Sequence, residues 1–285
     1  MLNKEKLQEE IKNWWETNPM TYDWHKNNKY KEGTKEWFKE IDARFFDNCT
    51  SFFAQEKGQT PFSKLIPYDK IRDINVLEIG CGSGAHSRLI IESGAKFTAI
   101  DLSLKAIELT SKRLESQGYK ANLIQMDAES MNFSNDSFDF VWSWGVIHHS
   151  SNIKKIISEI ARIVKPGGEV RIMVYHRDSI NFYIALLRGF LSGRLFIEGI
   201  EKTLNYYSDG FIANYYKKEE FAKLFKSDFN SVKTYIYGQK NELVPIPSYG
   251  ELGRCKYFLA NVIPDSIASW ILNYVGGFIF LIARK

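Results

Sequence analysis

A short apolar run, Val76-Leu77-Glu78-Ile79, ends in Gly80-Cys81-Gly82-Ser83-Gly84. Glycines after a strand let the backbone turn sharply and approach a ligand, because no Cβ stands in the way. Two further acids close apolar runs downstream. Asp101 follows Phe97-Thr98-Ala99-Ile100, and Asp127 follows Asn122-Leu123-Ile124-Gln125-Met126. In an open parallel sheet, ligands bind beyond the carboxyl ends of the strands, where strand order reverses. A carboxylate at the second such end can accept two hydrogen bonds from a ribose diol. One at the third end can accept from an exocyclic amine. The pattern is that of a nucleoside ligand held by a bare turn and a set of carboxylates.

Two ligand classes compete for this pattern. Gly80, Gly82 and Ala85 satisfy the G-x-G-x-x-G/A fingerprint of dinucleotide sites, with Asp101 as the ribose acid. On that reading the chain is a dinucleotide-dependent oxidoreductase. Glu78 argues the other way: a carboxylate beside a pyrophosphate is repulsive, whereas the ammonium of an amino-acid moiety attracts it. The third glycine also falls at Gly84, giving G-x-G-x-G.

Val76 to Gly84 resembles the first motif of class I S-adenosylmethionine-dependent methyltransferases. The wider set is similar to their small-molecule branch, the ubiquinone/menaquinone or "type 11" kind. Ala99-Ile100-Asp101-Leu102-Ser103 resembles the second motif and Met126-Asp127-Ala128 the third. Phe138 to Ser143 with Val146-Ile147-His148-His149 resembles the fourth, and Val164-Lys165-Pro166-Gly167-Gly168 the turn before strand five. The resemblance covers about residues 74–176. It implies S-adenosyl-L-methionine as cofactor and methyl transfer as the reaction. Gly80 and Gly82 would pass closest to its methionine part, with Glu78 ordering that end and Cys81 and Gly84 in the same turn. Asp101 would hold the ribose hydroxyls and Leu102 would pack on adenine. Asp127, followed by Ala128, would meet the adenine amino group, and Ser143 and Trp144 would line the methionine side.

A sulfonium is already a strong electrophile. The protein must align a nucleophile with the methyl group and exclude water, and a base is needed only if the nucleophile must lose a proton. His148 and His149, after strand four, are base candidates, because histidine titrates near neutral pH; packing or helix capping is the alternative. His176, after strand five, is a third candidate, with Tyr175 and Arg177 beside it. Arg177 would read an anionic group of the substrate. Tyr22 and Trp24 belong to an aromatic stretch that either folds over the cofactor as a lid or docks the N-terminal helix. The five histidines contain no H-x-x-x-H, so no metal site is expected.

Positioning these residues requires an α/β, doubly wound, mostly parallel sheet. Strand-like runs at 74–79, 97–100, 122–126, 138–143 and 170–175 alternate with helical segments. Ile153, Ile156, Ile157, Ile160 and Ile163 recur at three- and four-residue spacing, giving the clearest helix. Ser231 to Tyr237 and Phe278 to Ala283 complete seven strands, the last two forming an antiparallel edge. The expected organisation is a helical lid over 1–70, the cofactor-binding core over 71–176, a helical substrate cap over 177–230, and closing strands with a helix over 231–285. The first lid helix spans Lys4 to Glu16 and the second Thr34 to about Phe53.

Net charge is +4 from 38 basic and 34 acidic side chains, and the basic residues are scattered. A nucleic-acid partner is therefore not expected, nor methylation of a macromolecule, although the latter stays as an alternative. Three widely spaced cysteines suggest neither a disulfide framework nor a zinc cage. No run reaches the ~20 apolar residues of a membrane span, and the start lacks a signal peptide's apolar core. The expectation is a cytoplasmic enzyme with a small-molecule methyl acceptor, transferring to oxygen or nitrogen. Phe258, Leu259, Val262, Ile263, Ile267, Trp270 and Ile271 form either core or a homodimer contact.

Overall fold

A computed structural model describes residues 4–22, 29–46, 58–246 and 250–285. Helices α1 (Lys4–Thr17) and α2 (Lys35–Phe46) precede the sheet. Then come β1 (Asn75–Ile79), α3 (Ala85–Glu92), β2 (Lys96–Asp101), α4 (Leu104–Glu115), β3 (Asn122–Gln125), β4 (Phe138–Trp144), α5 (Ile153–Ile163) and β5 (Val164–His176). The C-terminal part holds α6 (Ile180–Leu191), α7 (Arg194–Tyr206), β6 (Tyr215–Tyr216), α8 (Lys218–Lys223), β7 (Ser231–Tyr237), α9 (Gly250–Val262), α10 (Asp265–Val275) and β8 (Phe278–Arg284).

Strand order is β3-β2-β1-β4-β5-β8-β7. Strands β1 to β5 pair in parallel, and β8 runs antiparallel between β5 and β7. The sheet is the doubly wound one that the alternation of strands and helices requires. It has eight strands among the described residues rather than seven, because Tyr215–Tyr216 pairs with the end of β5. Two residues carry no periodicity, so this strand leaves no trace in the sequence pattern. The second lid helix is described only to Phe46; its expected continuation to Phe53, and Trp24, lie outside the described residues.

Alternation along each strand divides the core. Leu77, Ile79, Val141, Ile172 and Val174 pack on one face with Ile156, Ile157 and Ile160 of α5. Val76, Ala99, Phe140, Trp142 and Met173 pack on the other. Each α5 isoleucine buried this way is worth about 1.5–3 kcal/mol. Because side chains alternate with a period of two, Glu78 shares the face of Val76. It therefore points toward α3.

Helix starts are set locally. Ser103 accepts from the Ala106 N–H at 3.2 Å and caps α4, and Ser179 does the same for α6 through Phe182. Strand order reverses between β1 and β4, and the cavity opens at their carboxyl ends.

Candidate active site

One cavity of about 490 Å³ runs from the β1–β4 reversal point to α6. Its near end is lined by Glu78, Gly80, Cys81, Gly82, Asp101, Leu102, Asp127 and Ala128. Three strand ends thus deliver the expected residues to one rim. Gly80 adopts φ +81°, and a Cβ there would stand 2.2 Å from Cγ2 of Val146. Only glycine fits between the β1 turn and the segment after β4.

Glu78 is 2% exposed. Burial pushes its carboxyl up to about 8, partly offset by the hydrogen bond from Ser87 Oγ at 2.5 Å and reinforced by the charge of Asp101. Asp101 is lifted by burial to about 6, against the pull of the Gly82 and Ser103 amides that donate to it at 3.0 and 2.9 Å. Burial likewise raises Asp127. None of the three forms an ion pair among the described residues. Such a trio disfavours a pyrophosphate and suits a cationic ligand with a diol and an amino group.

The turn is braced from behind by a residue the motif reading missed. Arg113, fully buried, donates through Nε to the Ser83 carbonyl at 2.5 Å and pairs with both oxygens of Asp42 at 2.7 and 2.8 Å. It ties α4, α2 and the glycine turn together. Gly84 belongs to this support. It does not line the cavity, and a Cβ there would press Thr110 and Arg113 at 3.1–3.2 Å. Ser143 is also displaced from its expected place. It is fully buried on the opposite strand face and donates to the Ile79 carbonyl at 3.1 Å, so it joins β4 to β1. Trp144 does line the cavity, stacked 5.7 Å from Trp142.

Helix α1 lies along the rim. Gln8 donates to both oxygens of Asp127 at 3.1 and 3.2 Å. Glu16 accepts from the Leu104 and Lys105 amides at 2.7 and 3.0 Å. An acid at a helix start satisfies orphan amides and is attracted by the positive end of the dipole, so α1 is fastened to the first turn of α4.

Of the three histidines, one reaches the cavity. His149 lines it, with Nδ1 2.5 Å from the Ile212 carbonyl and the Trp15 ring edge-on at 5.3 Å. A carbonyl only accepts, so Nδ1 carries the proton and Nε2 holds a free lone pair. Nε2 has no partner among the described residues. Burial lowers the His149 pKa, and the Ile212 bond partly restores it. His148 does not line the cavity; it is buried between the rings of His149 and Tyr175, each 4.1 Å away. His176 bonds through Nδ1 to Gly276 O at 2.9 Å and is likewise outside the lining. A strand end alternates in direction, so His176 and its neighbour Tyr175 face opposite ways.

Tyr175 lines the cavity and donates to Asp209 at 3.2 Å. Arg177 does not line it. Tyr22 does, stacked on Phe45 at 4.2 Å. His86 is a lining residue the motifs did not reveal. It is 6% exposed, with both ring nitrogens unpartnered, and burial lowers it to about 3. Its position in the first turn of α3, just past Gly84, was the available signal.

Comparison with known proteins places this architecture. The family profile described as a methyltransferase domain matches residues 77–172. A ubiquinone biosynthesis O-methyltransferase of Agrobacterium fabrum is 26% identical over 147 residues, 51% of this chain and 54% of that protein. A malonyl-[acyl-carrier protein] O-methyltransferase of Pseudescherichia vulneris is 31% identical over 117 residues, 41% and 45% of the two chains. The chain thus spans about half the length of these curated relatives. In fold, it resembles geranyl diphosphate C-methyltransferase of Streptomyces coelicolor, with TM-score 0.58 at 12% identity, covering 98% of this chain and 97% of that one.

Proposed function

We propose, from the premise that residues 77–172 are a class I, type 11 methyltransferase domain, that this chain methylates an oxygen or nitrogen of a small molecule using S-adenosyl-L-methionine. The observation that carries the reading is the carboxylate trio, outside any ion pair among the described residues, at the near end of the cavity. Glu78 would meet the ammonium of the cofactor, Asp101 its ribose hydroxyls and Asp127 its adenine amine, with Leu102 against the base. When bound, the cofactor supplies an electrophilic methyl group on sulfur.

The chain's own residues supply the rest. The turn at Gly80 lets the backbone approach. Trp144, Tyr22, His86 and Phe45 wall the site with rings and exclude water. His149 Nε2, its tautomer held by Ile212, accepts the proton of an acceptor hydroxyl or ammonium. Tyr175, anchored on Asp209, helps to orient that acceptor.

Calorimetric titration tests the reading. The native chain is expected to bind S-adenosylmethionine and not NADH, and Asp101→Ala to weaken binding by about a hundredfold, the loss of two charge-assisted hydrogen bonds. Unchanged affinity in Asp101→Ala, or preferential binding of NADH, would sink the assignment.

A further inference from the structure

Helix α6 is apolar beyond the face it packs, where Phe182 and Ala185 meet Leu204 of α7. Its cavity face carries Asn181, Ala185 and Arg188, spaced i, i+4, i+7. Its outer face turns Tyr183, Leu187, Phe190 and Leu191 to solvent, the last 75% exposed. Across the Ser192-Gly193 turn, α7 continues the surface with Phe196 and Ile197, 72% and 84% exposed. The rings of Phe190 and Phe196 meet at 5.3 Å, so the two rows join at the hairpin tip. Helix α10 adds Ile267, Trp270 and Tyr274 at i, i+3, i+7, and α9 adds Phe258 and Val262, all at least half exposed. Helices α6, α9 and α10 all pack on the short 3₁₀ turn Lys240–Leu243, so the second row lies beside the first. The late apolar residues named from sequence, Phe258, Val262, Ile267 and Trp270, therefore point out of the fold. Scattered apolar residues need no explanation, but a contiguous patch of this kind does.

We propose that this face docks on a phospholipid bilayer. Three observations choose that occupant over a second copy of the chain. First, Asn181 and Arg188 are exposed while lining the cavity, so its mouth opens beside the patch. A second copy seated on α6 would seal the mouth, whereas a lipid surface would feed it with an amphiphilic acceptor. Second, the most exposed residues, Leu191, Phe196 and Ile197, sit at the hairpin tip, and Tyr183, Tyr206, Trp270 and Tyr274 are exposed on the helices of the patch. Exposed aliphatic and Phe side chains together with Trp and Tyr match the residue types that a membrane interface takes up. Third, the four helices carry five basic and four acidic residues. Glu198 and Arg194, both on α7, cancel at 2.6 Å, and Asp265 is neutralised by Lys240 from outside the four helices at 2.7 Å. Arg188 has no ion pair among the described residues. This balance favours anionic headgroups.

The feeding of an acceptor through the cavity mouth rests on the methyl-transfer reading, and co-sedimentation with vesicles separates docking from it. The native chain is expected to pellet with vesicles of phosphatidylcholine and phosphatidylglycerol in equal parts, and less with phosphatidylcholine alone. F196E combined with I197E is expected to lower partitioning by about a hundredfold, the loss of two apolar anchors. W270E, on a separate helix, should lower it independently. S-adenosylmethionine affinity measured on the same preparations should match the native chain, showing that the fold is kept. Native protein that stays in the supernatant with both vesicles overturns the proposal. So does a lipid-free dimer seen by light scattering that F196E/I197E splits into monomers. Vesicle binding without cofactor binding would overturn the methyl-transfer reading alone.

Discussion

The imidazole of His149 and the carbonyl of Ile212 lie 2.5 Å apart, and that contact decides which ring nitrogen carries the proton. Ile212 follows Gly210, where a Cβ would stand 2.8 Å from His149 Nδ1. The backbone comes this close only because residue 210 has no side chain.

If His149 is the base, its working form is neutral. Burial lowers its pKa from the ordinary histidine value. Turnover with an acceptor bearing O–H or N–H should therefore fall only at pH below the ordinary histidine range and be level through neutrality. His149→Asn should cost at least about a hundredfold in kcat and abolish the low-pH limb. A pH–rate profile unchanged by the substitution would remove His149 from the mechanism.

Glu78 should link cofactor binding to protons. Its carboxyl is pushed up to about 8, so it is largely protonated at neutral pH in the ligand-free fold. An ammonium beside it favours the ionised form. S-adenosylmethionine affinity should therefore rise with pH toward 8, with a proton released that calorimetry in buffers of different ionisation enthalpy detects. Stability of the ligand-free fold has the opposite sign. A folded pKa above the unfolded value gives stability that is full below the unfolded pKa and lost as pH rises through the folded one. Glu78→Gln should remove both dependences and raise stability near pH 8 by up to about 4 kcal/mol. Parallel pH curves for native and variant would count against this role.

Gly80→Ala should destabilise the fold by about 2–4 kcal/mol, through a left-handed backbone and a clash with Val146. Val146→Ala in the same chain should return only the clash component. Denaturant midpoints of the four proteins give the coupling, and strictly additive effects would show that the close approach is not the cause.

Glu16→Ala should loosen α1 while leaving the sheet intact, at about 0.5–2 kcal/mol, the cost of a lost helix cap. Amide exchange should quicken at Leu104 and Lys105 and along α1. Unchanged protection there would mean that Glu16 does not hold α1.

Much of the near end of the cavity was legible in the chain itself. Glu78, Asp101 and Asp127 each close an apolar run, and their arrival at one rim follows from parallel strands ending at the same sheet edge. Ser143 and Gly84 share those motifs yet stand behind the site. One residue's shift along a strand reverses its direction, and a helix-capping glycine serves the neighbouring helix as readily as a ligand. The bases were least legible. His148, His149 and His176 are chemically equal in sequence, but only His149 both lines the cavity and has a ring nitrogen held by a carbonyl.

Local rules of pattern and spacing settled the α/β alternation, the glycine turn and the carboxylates, because strand and helix periodicities are written in neighbouring residues. Distant segments converging settled the rest. The bracing of the turn by Arg113 and Asp42, the hold of Gln8 on Asp127, the tautomer of His149 and the outward apolar face of α6 each join residues far apart in the chain. No local pattern encodes such meetings, since they depend on how whole elements pack.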